Sequence, residues 1–373
     1  MIQTNLSLKK LNGIKPKGVK VKQNSRLEEL INYFNSSVSS LSFEYLYSAS
    51  NKDIVENVKT MFPNLSESDL DSFIFACCAD KEDDTDRIKR LKGKFTGVLL
   101  SAISSLKKEG GSRADFYFDG FNVEVDYLFK CANGFDSLIV ENIVGNEICC
   151  GVSGGKSTIL AGRNIRGMDA FAKINCDEKF GFIYLENTQG YQPLEGVRNA
   201  NIIILKKSGS GSMAKTIASW EGDVDLLVVD GCNCQEHFLY QLASYGGHVK
   251  NLIVSDTDVQ LFMNLWAYNE GRIDNIWFNN VSYSYKLGAS SAEGKNPSVI
   301  GCVASNSLNS SQFDEIDYIQ NILIQKSNPK EYELFVKSNC LDAMLYKSRE
   351  LDLTDHKSFF EKVVDLKNLV GVE

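Results

Sequence analysis

Ile202-Ile203-Ile204, Leu226-Leu227-Val228 and Leu252-Ile253-Val254 are apolar triplets of β-favouring residues, and their spacing decides the fold. Each is followed by a polar or glycine-containing interval. Working outward, the same unit recurs upstream as Phe116-Tyr117-Phe118, Leu138-Ile139-Val140, Thr158-Ile159-Leu160 and Phe182-Ile183-Tyr184. Downstream it recurs as Ile276-Trp277-Phe278 and Val299-Ile300-Gly301. The residue before each triplet falls at 115, 137, 157, 181, 201, 225, 251, 275 and 298, a period of about 23. A repeat of that length marks a solenoid, in which each triplet is one rung of a parallel sheet with alternate side chains facing inward. The expected fold is an α+β repeat protein, a parallel β-solenoid of about nine coils over residues 112–309.

An open parallel edge leaves backbone groups unpaired, so both ends of such a stack need covering. Helical patterns stand where caps are required. In 26–111, Leu27, Leu30, Ile31 and Phe34 recur at spacings of three and four, with further helices over 53–62, 66–78 and 86–108 before the Gly110-Gly111 stop. In 310–373 the candidates are 313–325, 329–339, 340–349 and 356–369. Residues 1–25 read as an extended arm, broken by Gly13, Pro16 and Gly18. The intervals between rungs differ in kind. Early ones read as strands and turns, whereas 213–220, 236–242 and 259–268 suit short helices.

Gly151-Val-Ser-Gly-Gly-Lys-Ser-Thr-Ile-Leu-Ala-Gly162, Leu185-Glu-Asn-Thr-Gln-Gly190 and Gly196-Val-Arg-Asn-Ala-Asn-Ile202 place turn glycines before apolar strands. Residues 137–210 in this way resemble the right-handed β-helix of the GXGXG domain at the C-terminus of glutamate synthase. That resemblance implies a structural rather than a catalytic domain, so it carries over no active site. Val249-x-x-Leu252-x-Val254 and Ile273-x-x-Ile276-x-Phe278 look like leucine-rich repeats. The asparagine expected after them is replaced by Thr257 and Val281, so that family's Asn ladder is missing.

The 373 residues carry 40 Lys and Arg against 48 Asp and Glu, a net charge of -8. The average hides an asymmetry. Lys9, Lys10, Lys15, Lys17, Lys20, Lys22 and Arg26 stand in the first 26 residues with no acid among them, which leaves a body of net charge -15. Seven charges with flexible punctuation suit sequence-independent contact with a phosphate backbone, since no aromatic is present to stack on bases. The arm equally suits docking on its own acidic body, or a solubility tail. No apolar run approaches a membrane span, and no secretory leader pattern opens the chain, so a cytoplasmic setting with no membrane partner is expected. The ten cysteines form no regular framework and read as reduced, mostly buried residues.

Candidates for chemistry are few. Cys150-Gly-Val-Ser-Gly-Gly-Lys156-Ser157 resembles a phosphate-binding loop, with Asp230 as a Mg²⁺ partner, but its first glycine is Cys150 and a strand follows where a helix should open. Cys232, Cys234 and His237 could share a metal with Cys302, Cys176 or His248, although the single-residue gap is tight for zinc. They equally fill the turn after a rung. Glu141 with Glu186, or Asp256 with Asp258, reads as a solvated acidic face before a carboxylate dyad. No nucleophile motif accompanies His237, His248 or His356. The expectation is a non-enzymatic scaffold, with no cofactor, that binds a macromolecular partner such as RNA or a ribosome through its faces and basic arm. A degenerate nucleotide-binding enzyme using Lys156, Ser157 and Asp230 is the alternative.

Overall fold

The computed structural model describes residues 25–40, 51–79, 84–174, 179–261, 266–283, 299–308, 313 and 319–372. Among the described residues four helices come first: α1 (Ser25–Ser40), α2 (Asn51–Met61), α3 (Glu67–Phe73), extended by a π-helical turn at Ile74–Cys78, and α4 (Asp86–Glu109). Ser66 opens α3 with a reciprocal capping box to Asp69, and Thr85 caps α4 through the Ile88 amide. The boundaries therefore lie close to those the sequence marks.

The solenoid begins with β1 (Asp115–Asp119), β2 (Ser137–Val144), β3 (Ile159–Met168) and β4 (Phe180–Glu186). It continues through β5 (Gln189–Tyr191), β6 (Ala200–Lys206), β7 (Gly209–Ser210), β8 (Asp223–Asp230) and β9 (Asn233–His237). Next come β10 (His248–Ser255), β11 (Asp258–Leu261), β12 (Arg272–Asn279), β13 (Ser282–Tyr283), β14 (Val299–Ser305) and β15 (Ile319–Ile324). All pair in parallel. A main face stacks β1, β2, β3, β4, β6, β8, β10, β12, β14 and β15, and a short-strand face stacks the end of β3 with β5, β7, β9, β11 and β13. Each of the nine triplets falls on one of the ten main rungs, and Leu138, Leu160, Ile183, Ile203, Leu227, Leu252, Ile276 and Val303 pair in register from rung to rung, so the ninth triplet, Val299-Ile300-Gly301, starts its rung opposite Arg272 and Ile273 rather than opposite Ile276-Trp277-Phe278. The tenth is β15, where the sequence pattern suggested a helix over 313–325. Ile319 and Ile322 are spaced like a helical face, yet the edge of β14 recruits them as one more rung.

The third side corrects the helical intervals expected at 213–220, 236–242 and 259–268. From Ala214 to Trp220 and from Leu239 to Tyr245 every second residue has left-handed backbone, with φ of 52° at Ala214, 56° at Thr216 and 51° at Ala218. Such residues cost about 1 kcal/mol each in isolation, and here stacking holds them. The Cys149, Phe171, Leu194, Ala214 and Leu239 amides each donate to a carbonyl of the preceding coil at 2.8–3.0 Å. At 259–268, Asp258–Leu261 is the strand β11 and 262–265 lie outside the described residues. The inward side chains Met213, Ala214, Ile217 and Ala218 recur every four residues, which imitates a helical stripe.

Helix α4 closes the first coil by continuing that ladder with hydroxyls. The Phe129 amide, which has no earlier coil to meet, donates to Thr96 Oγ1 at 2.9 Å, and the Asn133 amide donates to Ser101 Oγ at 2.9 Å. Gly93 and Gly97 allow the approach, since a Cβ at Gly97 would sit 2.2 Å from the Lys130 carbonyl. Helices α5 (Pro329–Ser338), α6 (Leu341–Arg349) and α7 (His356–Val370) follow the last strand and lie lengthwise along the outside of the main face. Outward Tyr184, Ile204, Val228, Ile253 and Trp277 are thereby buried against Tyr332, Leu341, Leu345, Phe359 and Val363, so these main strands are apolar on both sides.

Candidate functional site

At the carboxyl ends of the main strands, the outward position runs Glu141, Arg163, Glu186, Lys206 and Asp230 on β2, β3, β4, β6 and β8, alternating in charge from rung to rung. Glu141, Glu186, Lys206 and Asp230 are all less than a tenth exposed. They survive burial because the segment joining α6 to α7 lies over them as a complementary strip. Lys206 Nζ donates to the Arg349 and Leu351 carbonyls at 3.0 and 2.9 Å, and burial holds its pKa below the usual lysine value. Arg349 grips Asp230 with Nη2 at 2.7 Å and Nε at 3.0 Å, and also reaches Ser255 Oγ and Asp256. Arg163 bridges Glu141 and Asp352, and His356 approaches Glu141 at 3.6 Å.

A cavity of about 500 Å³ remains at this seam, lined by Arg163, Asn164, Lys207 and Lys362 among others. Arg163, Lys206, Lys207, Arg349 and Lys362 all reach a carboxylate or a main-chain carbonyl. Lys206 is thus committed to two main-chain carbonyls of the covering segment. The row acts as a zipper that sets the register of the C-terminal cover.

Beside it runs an asparagine ladder, at the left-handed corner rather than at the leucine-rich-repeat position. Asn142 donates to Asp119, Asn164 to Asn142 and Asn187 to Asn164 at 2.6–3.1 Å, with φ between 51° and 56°. At the opposite strand ends, His248 lies between Asp223 (Nδ1, 3.0 Å) and Asp274 (Nε2, 3.1 Å), with Lys179 on Asp223 and Asp225 and Arg272 on Asp274. Only the imidazolium can donate to both carboxylates, so the hydrogen bond to Asp223 leads in raising the His248 pKa, and the same bond helps hold Asp223 down to about 2. The raised pKa gives stability that is complete below about pH 6.5 and lost as pH rises through the folded value; the lowered pKa gives stability lost as pH falls toward about 2. In urea titrations His248→Gln should therefore cost up to about 1 kcal/mol at pH 5.5 and less at pH 9, the partly exposed site being screened. An equal cost at both pH values would refute the bridge.

The sequence candidates are scattered. Lys156 and Ser157 sit in an exposed turn that opens β3, a strand and not a helix, so the loop lacks the helix N-terminus that a phosphate needs. Asp230 ends β8, three rungs away beyond β4 and β6, and is held by Arg349. Cys232 and Cys234 point into the core, their Sγ atoms on the carbonyls of Leu205 and Gly211, and burial pushes both thiols up to about 12. His237 ends β9 and packs on Tyr240. Among the described residues no group of three or more His, Cys, Asp and Glu is placed to hold a metal. Cys176 and the arm lysines Lys9, Lys10, Lys15, Lys17, Lys20 and Lys22 lie outside the described residues. Arg26 belongs to α1 and approaches Asp69 at 3.8 Å, so it is part of the helical domain.

One solenoid face carries no helix in the described structure. On the short-strand face Arg166, Gln189, Asn233, Asp258 and Ser282 align outward from coil to coil, all exposed, with Met168 and Tyr191 beside them. No helix among the described residues is long and apolar enough to cross a membrane. Comparison with known protein families, curated proteins and solved structures finds no match to this chain. The strand register establishes a parallel β-solenoid, and no particular solenoid family.

Proposed function

We propose that this chain is a non-enzymatic interaction protein that seats a macromolecular partner on its short-strand face. One observation carries the reading: the main face is closed by α5, α6 and α7 and the first coil by α4, while the short-strand ladder keeps its outward side chains exposed. Solenoids commonly bind through such extended, regularly spaced surfaces. The GXGXG domain that residues 137–210 resemble is likewise structural in its own family. A cytoplasmic setting belongs to the proposal, and the nine free cysteines among the described residues suit it.

The basic arm adds the second part, salt-dependent attraction to RNA or the ribosome. Deleting residues 1–23 should weaken co-sedimentation with ribosomes by about tenfold at low salt and progressively less as salt is raised. Unchanged co-sedimentation at low salt would remove the arm from the account while leaving the face to be tested separately.

A further inference from the structure

The corner leading into β8, β10 and β12 carries an aromatic stack that neither the seam nor the short-strand face uses. Trp220, 61% exposed, lies flat on Tyr245, with ring centroids 4.3 Å apart and planes 9° from parallel. Tyr268, one coil further on, meets Tyr245 edge-on at 5.6 Å. Main-chain bonds hold the stack in register: the Trp220 amide donates to the Ser244 carbonyl at 2.9 Å and the Tyr245 amide to that of Tyr268 at 2.7 Å. The corner lengthens at this coil. The Ala218 amide bonds to Val197 and Val224 pairs with Ala200, so the path from 218 to 224 answers a shorter one from 197 to 200. Trp220 stands on the added length, with one indole face on Tyr245 and the other open.

We propose that this open indole face binds the pyranose ring of a neutral saccharide. A sugar presents an apolar C–H face to an aromatic ring and hydroxyls around its rim, so it needs one rigid ring with polar groups beside it. The stack supplies the rigid ring. Glu221 follows it, exposed and lying against Gly246, and the Lys179, Asp223 and Asp225 cluster begins the next strand. A protein partner would require a contiguous apolar patch, whereas Trp220 is the one exposed large apolar side chain at this corner among the described residues. A nucleic acid could stack on it but would bring phosphates against Glu221, Asp223 and Asp225.

Trp266 and Trp277 are buried, so acrylamide quenching of the intact protein's fluorescence reports on Trp220. The probes are the neutral hexasaccharides of glucose, N-acetylglucosamine, mannose and xylose at about 5 mM, a level suited to millimolar affinity. At least one should roughly halve the quenching, and by calorimetry Trp220→Ala should bind it about tenfold more weakly and Glu221→Gln severalfold more weakly, at unchanged unfolding temperature. The inference is overturned if none of the hexasaccharides protects Trp220, if Trp220→Ala binds as the wild type does, or if a single-stranded oligonucleotide protects it instead. None of these outcomes bears on the short-strand face.

Discussion

Replacing Phe359 with alanine is expected to lower stability by about 3–5 kcal/mol, the cost of emptying a fully buried aromatic site. Phe359 is 0% exposed and is the side chain of α7 that meets the main face most directly, with its ring edge-on to Phe182 at 6.2 Å and Tyr184 at 5.3 Å. The cavity would open between cover and sheet, where neither layer can collapse without breaking the Lys206 and Arg349 contacts of the adjoining segment. Phe359→Leu should cost about 1 kcal/mol by comparison. Urea unfolding checks both, and hydrogen exchange should accelerate in β4 and β6 of the alanine variant. A loss below about 1 kcal/mol for Phe359→Ala would mean that α7 does not cover the sheet.

Gly167→Ala should be comparably severe for a different reason. Gly145, Gly167 and Gly190 stack on successive coils, and a Cβ at Gly167 would lie 1.9 Å from the Gly145 carbonyl oxygen in a backbone of φ 145°. Backbone must move to admit it, and every coil above is registered on that backbone. About 3 kcal/mol or more is expected, with a lowered unfolding temperature in calorimetry. Gly209→Ala supplies the control on the same face: a Cβ there meets nothing within 4 Å, so its cost should stay under about 1 kcal/mol. Equal losses at the two positions would contradict the stacked register.

The repeat was legible because each rung repeats one local pattern, and a parallel stack reuses one register from coil to coil. The double-sided burial was also written in the triplets. Ile202-Ile203-Ile204 is apolar at all three positions, the mark of a strand covered on both faces, whereas a strand with one wet face would alternate. The third side was misread because Met213, Ala214, Ile217 and Ala218 have the spacing of a helical stripe, and left-handed backbone at alanine and threonine leaves no composition signal. The buried row was out of reach for another reason. Glu186 and Lys206 look like surface residues until Leu351, 145 positions beyond Lys206, supplies its carbonyl. Of the residues singled out for chemistry, the structure separates Lys156 from Asp230 and turns Cys232 and Cys234 inward, because both sets fall on the repeat and serve it.

The central claim is that the short-strand face is the docking surface. Quantitative affinity purification of the intact protein from its own cells, beside a variant carrying Arg166→Glu and Met168→Asp, tests it most directly. Both side chains are exposed on that face, so the variant should unfold at the wild-type temperature. Recovery of the partner should fall about tenfold, as expected when a hot-spot region is lost. Equal recovery with the folded variant would contradict the account.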